Sequence, residues 1–266
     1  MFIIILKMMK TNFQKLGYFL LIILAINSSC TNNQTKEEKK ELLIYCGITM
    51  IRPMTEIKEI IEKEESCVIE ITKGGSGNLL KALETSGIGD LYIPGSEAYI
   101  YNAQAKGLID DTATVGKNRL AMMVQKGNPL HISNSLNNLS NKDYYVVIGN
   151  PNSGSVGKAT KKALQKKGIF HEVEQNAVKF TTDSKDLTLL IKNKEADLVV
   201  NWFATYTWDD NSNYIDYIPI SDKYAADNKL ILCTLKSSKQ KKIANKFLKF
   251  AQSEQGKAIF KKYGLY

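Results

Sequence analysis

The sequence predicts an α/β fold built on parallel sheets. The first observation is a set of short, continuously apolar runs, which are typical of strands covered on both faces. The second is the order strand–loop–helix, which recurs along the chain and, through right-handed crossovers, places such strands side by side. The third is that several of the intervening loops are built from small residues. Loops at the carboxyl edge of a parallel sheet are where ligands bind.

The composition indicates a mildly basic globular protein. The chain has 266 residues, 44% of them hydrophobic, and a formal net charge of +9. This length suffices for two modest domains or one large one. The basic residues lie mostly in lysine-rich helical stretches, which we interpret as solvated faces. The sequence contains neither an arginine cluster nor an alternation of aromatic and basic residues, which argues against nucleic-acid binding.

The amino-terminal segment has the pattern of an export signal. Three lysines precede an apolar run at residues 16–26, which has the length of a signal-peptide core and is short for a membrane span. The run ends in Asn27-Ser28-Ser29-Cys30, which resembles the lipobox of bacterial lipoproteins, with Asn27 in place of the usual leucine. The polar residues that follow have no apolar anchors and indicate a tether.

We therefore predict a lipoprotein signal peptide over residues 1–29, lipidation at Cys30 and a tether over 30–40. The body of the protein would then lie in the cell envelope, facing the periplasm or the cell exterior, and would be held at a membrane. An uncleaved anchor helix is the alternative. Removal of residues 1–29 and their three lysines lowers the net charge from +9 to +6.

Three strand–loop–helix units open the mature chain. The predicted strands cover residues 42–46, 68–72 and 89–93, and the helices cover 53–65, 79–86 and 96–106. Between the second strand and its helix lies Lys73-Gly74-Gly75-Ser76-Gly77-Asn78. Glycines admit close approach, and the first N–H groups of a helix lack internal partners and carry partial positive charge, so this loop is a candidate anion site. A tight turn with a Ser or Asn N-cap is the plain alternative.

The second part of the chain repeats this pattern. Strands are predicted at 120–124, 144–149, 178–181, 197–202 and 229–235. The strand at 144–149 runs through the small-residue loop 150–157 into a helix at 158–167. Asp183-Ser184 has the residue types of an N-cap for a helix at 187–194. Aromatic and polar residues fill 206–217, and an amphipathic helix at 240–252 and a shorter one close the chain.

Several motifs together resemble a known family. They are GGSG at 74–77, GDLYI at 89–93, GNP at 149–151, EADLVVNW at 195–202 and SEQGKAIFKKYG at 253–264. Their types and order resemble the periplasmic molybdate-binding proteins, which are the solute-binding components of molybdate and tungstate ABC importers. The resemblance covers about residues 41–264.

The resemblance implies a two-lobed α/β fold of the type II periplasmic-binding-protein class, with a hinge and a ligand cleft between the lobes. Lobe one would comprise 41–121 plus 218–266, and lobe two 122–217. The protein would capture molybdate or tungstate, act as a monomer without a cofactor, and deliver the anion to a membrane permease and its ATPase. The same fold with another solute (sulfate, phosphate, a ferric or an organic anion) and an extracellular sensor module are the alternatives.

The same resemblance implies that neutral donors hold the anion. The implied ligand-binding residues are Thr49, Gly75, Ser76, Gly77, Ser155, Val156, Ser184 and Trp202. Thr49 and Ser184 could instead be N-caps, and Trp202 could pack in the core. Trp202 stands where the family has tyrosine, which changes the size of the cavity. We expect Arg52 to lie at the rim of the site or in solvent, because it falls in the first turn of a predicted helix.

The sequence favours neither an enzyme nor a metal protein. The two histidines, His131 and His171, stand in no recognisable motif, and no nucleophile–base pair is apparent. Cys46, Cys67 and Cys233 are odd in number and fit no zinc spacing, so we expect buried free thiols. A Cys46–Cys233 disulfide is the alternative.

Overall fold

The computed structural model describes residues 40–208 and 211–266. The predicted signal peptide, the lipidation site Cys30 and the tether up to residue 39 lie outside these ranges. A search of the described residues finds no helix with the length and apolar character that a bilayer span requires.

The fold alternates helices with strands throughout. In chain order the described elements are β1 (Lys40–Gly47), α1 (Ile51–Glu65), β2 (Cys67–Gly74), α2 (Ser76–Ser86), β3 (Leu91–Ile93), α3 (Glu97–Ala105), β4 (Ile109–Asn118), β5 (Leu120–Gln125), β6 (Val146–Gly149), α4 (Ser155–Lys167), α5 (Phe170–Asn176), β7 (Lys179–Thr181), α6 (Ser184–Lys192), β8 (Leu198–Trp202), β9 (Ile215–Pro219), β10 (Asn228–Leu235), α7 (Lys241–Gln252) and α8 (Glu254–Lys262). Short 3₁₀ turns lie at Ile48–Met50, Leu136–Ser140, Phe203–Thr207 and Asn211–Asn213.

These strands form two five-stranded sheets. The two-lobed α/β architecture predicted from the sequence is confirmed. The first sheet has the order β2-β1-β3-β10-β4, and the second has the order β7-β6-β8-β5-β9. Strands β1, β2 and β3 are parallel, as are β6, β7 and β8. Strands β4, β5, β9 and β10 pair antiparallel, so each sheet is mixed. We call the part built on each sheet the first or the second lobe.

Two strands were absent from the sequence prediction, and both lie at a sheet edge. Strand β4 ends the first sheet and β9 ends the second. In β4 only Ala113, Val115 and Asn118 are buried, and most of the remaining residues face solvent. Such a strand has no continuous apolar run, because one side of it packs against nothing.

Helices cover both faces of the first sheet, and the described core residues of the second lobe form one cluster. On one face of the first sheet, α1 and α7 bury a cluster that contains Met54, Ile57 and Phe247. On its other face, α2 and α3 pack around Tyr92. The second lobe has a single large cluster, which includes Leu187, Val199 and Trp202. Strands covered on both faces account for the apolar runs in the sequence, and they include the antiparallel strands β5 and β10 as well as the parallel ones.

The chain crosses between the sheets twice. Only Arg119 separates β4 of the first sheet from β5 of the second, and the chain returns between Pro219 and Asn228. Arg119 donates hydrogen bonds to Asp227 at 3.2 Å and to the Tyr266 hydroxyl, which ties the two crossings together. The predicted lobe boundaries at 121/122 and 217/218 describe which parts of the chain would move relative to each other. They stay a prediction.

The cysteines of the described chain are free thiols in the core. Cys46, Cys67 and Cys233 are buried and unpaired. Burial raises the pKa of Cys46, and it raises the pKa of Cys233 to about 12. A thiol with so high a pKa is inert as a nucleophile near neutral pH.

We expect Phe247→Ala to destabilise the first lobe by about 3–5 kcal/mol, because it leaves a cavity between α7 and the first sheet. The Phe247 side chain is fully buried, whereas Phe180 is 39% exposed. Urea unfolding followed by circular dichroism measures the change, with Phe180→Ala as the matched control. Equal losses in the two variants would contradict the assignment of Phe247 to the core.

Candidate functional site

The starts of several helices converge where the two lobes meet. Strands β1, β2, β6 and β7 each end in a loop that leads into a helix. These loops and helix starts enclose a cavity lined by Ile48, Thr49, Gly74, Gly75, Ser76, Gly154, Ser155, Val156, Thr182, Asp183 and Ser184. Its volume of about 10 Å³ is close to the room that one water molecule occupies. The structure therefore shows the lobes closed around a very small polar space.

Two of the helices begin without a side-chain cap. The N-cap of α2 is Gly75 and that of α4 is Gly154, and neither helix has an acidic residue in its first turn. The first N–H groups of a helix have no internal acceptor, and the helix dipole adds partial positive charge there. Uncapped N–H groups at a cavity wall are ready donors for an anion.

Helix α6 starts differently. The Asp183 carboxylate accepts hydrogen bonds from the backbone N–H groups of Lys185 and Asp186, at 2.8 and 3.3 Å. Two of the first backbone N–H donors of α6 are therefore occupied. The N–H of Ser184, the first residue of the helix, makes no hydrogen bond to this cap. Burial raises the pKa of Asp186, and the nearby Asp183 carboxylate raises it further.

The hydroxyls of Ser76 and Ser155 are both oriented by N–H donors. Ser76 Oγ accepts from the Gly95 N–H at 2.9 Å, and Ser155 Oγ accepts from the Trp202 indole N–H at 3.1 Å. Backbone and indole N–H groups can only donate, so each serine oxygen is the acceptor and its own proton stays available. Each buried hydroxyl is thus held in place as a donor toward the cavity that its residue lines.

Thr49 supplies a third hydroxyl. It is buried, and its Oγ1 donates to the Met50 sulfur at 3.0 Å. A thioether is a weak acceptor, so an anion in the cavity would compete well for this proton. Among the residues that line the cavity, Asp183 carries the one carboxylate, and the α6 cap already uses it.

Two residues that the sequence analysis did not single out support these groups from behind. The Tyr92 hydroxyl donates to the Ser76 carbonyl at 2.9 Å, and the Asn201 amide donates to the Ser184 carbonyl at 2.9 Å. Both side chains are fully buried. The sequence signal for Asn201 was available, since it is a polar residue inside an otherwise apolar strand.

The backbones of the two lobes touch beside the cavity. The Gly77 N–H of the first lobe donates to the Ser153 carbonyl of the second at 3.1 Å. A Cβ atom at Gly75 would lie 2.9 Å from the Thr182 carbonyl oxygen, and one at Gly77 would lie 2.9 Å from that of Ser153. A Cβ atom at Gly95 would also overlap the Ser155 hydroxyl. These glycines are needed because the opposite lobe approaches so closely.

Six of the eight residues predicted for the ligand site line the cavity: Thr49, Gly75, Ser76, Ser155, Val156 and Ser184. The structure places the other two elsewhere. Gly77 forms the contact between the lobes, and Trp202 lies in the second core behind Ser155. Trp202 therefore reaches the cavity only through the serine hydroxyl. Within residues 40–208 and 211–266, no group of three acidic, histidine or cysteine side chains is placed to hold a metal ion.

Two curated relatives extend over most of the chain. A binding protein of Haemophilus influenzae is 26% identical over 220 residues, which are 83% of this chain and 88% of the relative. A protein of Bacillus subtilis named as an ABC transporter substrate-binding lipoprotein is 24% identical over 263 residues, 95% of this chain and 98% of the relative.

Solved structures of low sequence identity share the fold. The substrate-binding domain assigned to a molybdenum ABC transporter of Clostridium difficile has a TM-score of 0.62 at 22% identity, covering 85% of this chain and 98% of the other. The molybdate-binding protein of Azotobacter vinelandii has 0.71 at 16%, covering 85% and 98%. A periplasmic binding protein of Actinobacillus pleuropneumoniae with fructose-6-phosphate bound has 0.73 at 16%, covering 85% and 83%.

The family model for the bacterial extracellular solute-binding proteins matches residues 42–266, which include both sheets and every residue of the cavity. The chain belongs to this family of bacterial extracellular solute-binding proteins.

Proposed function

We propose that this protein is the solute-binding component of an ABC importer and holds a tetrahedral oxyanion group in the cavity between its lobes. The observation that carries the proposal is the set of neutral donors there: two oriented serine hydroxyls, one threonine hydroxyl and two uncapped helix starts. Donors from both lobes close around the same small space. Several charge-assisted hydrogen bonds of ~1.5–3 kcal/mol each would stabilise the closed state.

Molybdate and tungstate are the first candidates among simple anions. The sequence motifs resemble their binding proteins, and two proteins of the same fold bear molybdenum or molybdate in their names. Trp202 bears on this choice indirectly, because it sets the position of the Ser155 hydroxyl. A phosphate ester is the second candidate. The observation that favours it is a pocket of about 280 Å³ beside the cavity.

Release of the anion follows from the architecture. We propose that the two crossings, at Arg119 and at 220–227, form the hinge between the first and the second lobe. Opening would remove the donors of one lobe and the Gly77–Ser153 hydrogen bond together. The anion would then pass to a permease driven by its ATPase. Anchoring of the chain through a lipid at Cys30 in the cell envelope is part of this proposal.

The direct test is thermal unfolding with molybdate, tungstate, sulfate and phosphate. An anion that binds only the folded protein raises its stability by RT ln(1 + [L]/Kd), about 2.7 kcal/mol at one hundred times Kd. We expect one or more of the four to raise the melting temperature. If neither these anions nor an organic phosphate raises it, the oxyanion proposal is wrong.

We expect Ser76→Ala and Ser155→Ala each to weaken binding of the responsive anion about ten- to one-hundredfold, because each removes one charge-assisted hydrogen bond. Thr49→Ala should have a similar or smaller effect, since its hydroxyl must first leave the Met50 sulfur. Calorimetry measures the affinities. Thr85→Ala is the control, because it removes an exposed hydroxyl from the same helix as Ser76. Wild-type affinity in all three variants would place the site elsewhere.

We expect Gly77→Ala to weaken binding at least about tenfold, mainly by faster dissociation, although alanine favours a helix over glycine by ~1 kcal/mol. The new Cβ would meet backbone atoms of the opposite lobe and keep the lobes apart. Gly74→Ala is the matched control, since its Cβ would make ordinary contacts of 3.5 Å with Leu79. Stopped-flow dissociation kinetics would compare the two. Equal rates would show that closure does not require this approach.

A further inference from the structure

A second pocket adjoins the cavity, and we call it the flanking pocket. It is lined by Ile48, Ile51, Arg52, Lys73, Lys185, Thr188, Leu189, Lys192, Trp208 and Asn211, and its volume is about 280 Å³. Both lobes contribute, the first through α1 and the end of β2, the second through α6 and the turn after β8. The space is far larger than the cavity where the helices start.

The flanking pocket and the cavity are lined by neighbouring residues of the chain. Ile48 lines both of them. At the end of β2, Gly74 lines the cavity and Lys73 the flanking pocket. At the start of α6, Ser184 lines the cavity and Lys185 lines the flanking pocket. The two spaces therefore lie next to each other, and Ile48 is part of the wall of both.

The flanking pocket is basic. Four of the described residues that line it are cations, and none of the described lining residues is acidic. Two of the cations have partners in the protein: the Arg52 guanidinium lies 5.4 Å from the centre of the Trp208 ring, and Lys192 donates to the Asn211 amide oxygen at 3.2 Å. Lys73 and Lys185 are exposed and make no ion pair within the described chain. They stand on opposite lobes, so a ligand group that contacted both would bridge the lobes.

The remaining walls suit a short carbon chain. Ile48, Ile51 and Leu189 give an apolar surface, and the Trp208 ring adds a flat one. Trp208 is nine-tenths buried, and its indole N–H has no hydrogen-bond partner among the described residues. A buried donor left without an acceptor costs about 1–3 kcal/mol, and a polar ligand beside this ring could supply the acceptor. This observation is independent of the lysines.

We propose that the flanking pocket is a second subsite, which binds the carbon chain and second anionic group of a phosphorylated organic acid whose phosphate occupies the cavity. The inference rests on the proposed function, because it requires an oxyanion group at the helix starts. Lys73 and Lys185 bind the second anionic group from the two lobes, and the apolar wall contacts the carbon chain. A bare tetrahedral ion has no group that could reach this subsite and gains nothing from it.

The test compares two ligands that differ in one group, 3-phosphoglycerate and glycerol 3-phosphate. We expect the wild-type protein to bind 3-phosphoglycerate at least about tenfold more tightly by calorimetry, which is one charge-assisted contact. Lys73→Gln and Lys185→Gln should each reduce that preference and leave the affinity for inorganic phosphate within about twofold. Lys81→Gln on the exposed side of α2 is the control and should change neither quantity.

Fluorescence gives a second measurement, because the sequence contains two tryptophans. We expect 3-phosphoglycerate to change the emission more than inorganic phosphate does, and Trp208→Phe to abolish that difference. Binding of inorganic phosphate without any preference for 3-phosphoglycerate would overturn the subsite and leave the proposed function intact. Loss of preference in Lys81→Gln equal to that in Lys73→Gln would also overturn it. If no oxyanion of either kind binds, the proposed function itself fails.

Discussion

The close backbone contact between the two lobes is the constraint on which the site depends. Gly77 donates to the Ser153 carbonyl, and Gly75 and Gly95 face second-lobe atoms at distances that exclude a side chain. This approach brings the uncapped starts of α2 and α4 to the same small space. If the lobes were an ångström or two further apart, the donors would form two half-sites. Each half-site alone would hold an anion weakly, which is the physical basis for coupling capture to closure.

The chemistry of the cavity depends on how the hydroxyls are oriented. Ser76 and Ser155 accept hydrogen bonds from the N–H groups of Gly95 and Trp202, so their own protons stay available for an acceptor in the cavity. Such preorganisation lowers the entropy lost on binding. The donors carry no full charge, so an anion held there would be bound through dipoles, whose effect depends on the geometry of the closed lobes.

Positive charge lies next to this neutral site. Lys73 precedes the cavity residue Gly74, and Lys185 follows the cavity residue Ser184. The two lysines belong to different lobes. This arrangement separates two tasks. In the proposed function the helix starts would bind an oxyanion group, and the flanking lysines would bind a second charged group of the ligand.

The sequence by itself determined the parallel core and most of the cavity. Apolar runs identify strands covered on both faces, and small residues at the following helix start mark where backbone donors are exposed, so the loop that contains Ser76 could be named from local pattern. Thr49 and Ser155 were named through the family resemblance. The edge strands β4 and β9 could not, because burial on one side leaves no apolar run. The role of Trp202 was also decided only by the tertiary structure. Its indole points to Ser155 on a different segment, and no local pattern records which residue a side chain will meet after folding. The same reason applies to Gly77 and Ser153, whose contact exists only when two lobes from distant parts of the chain are brought together.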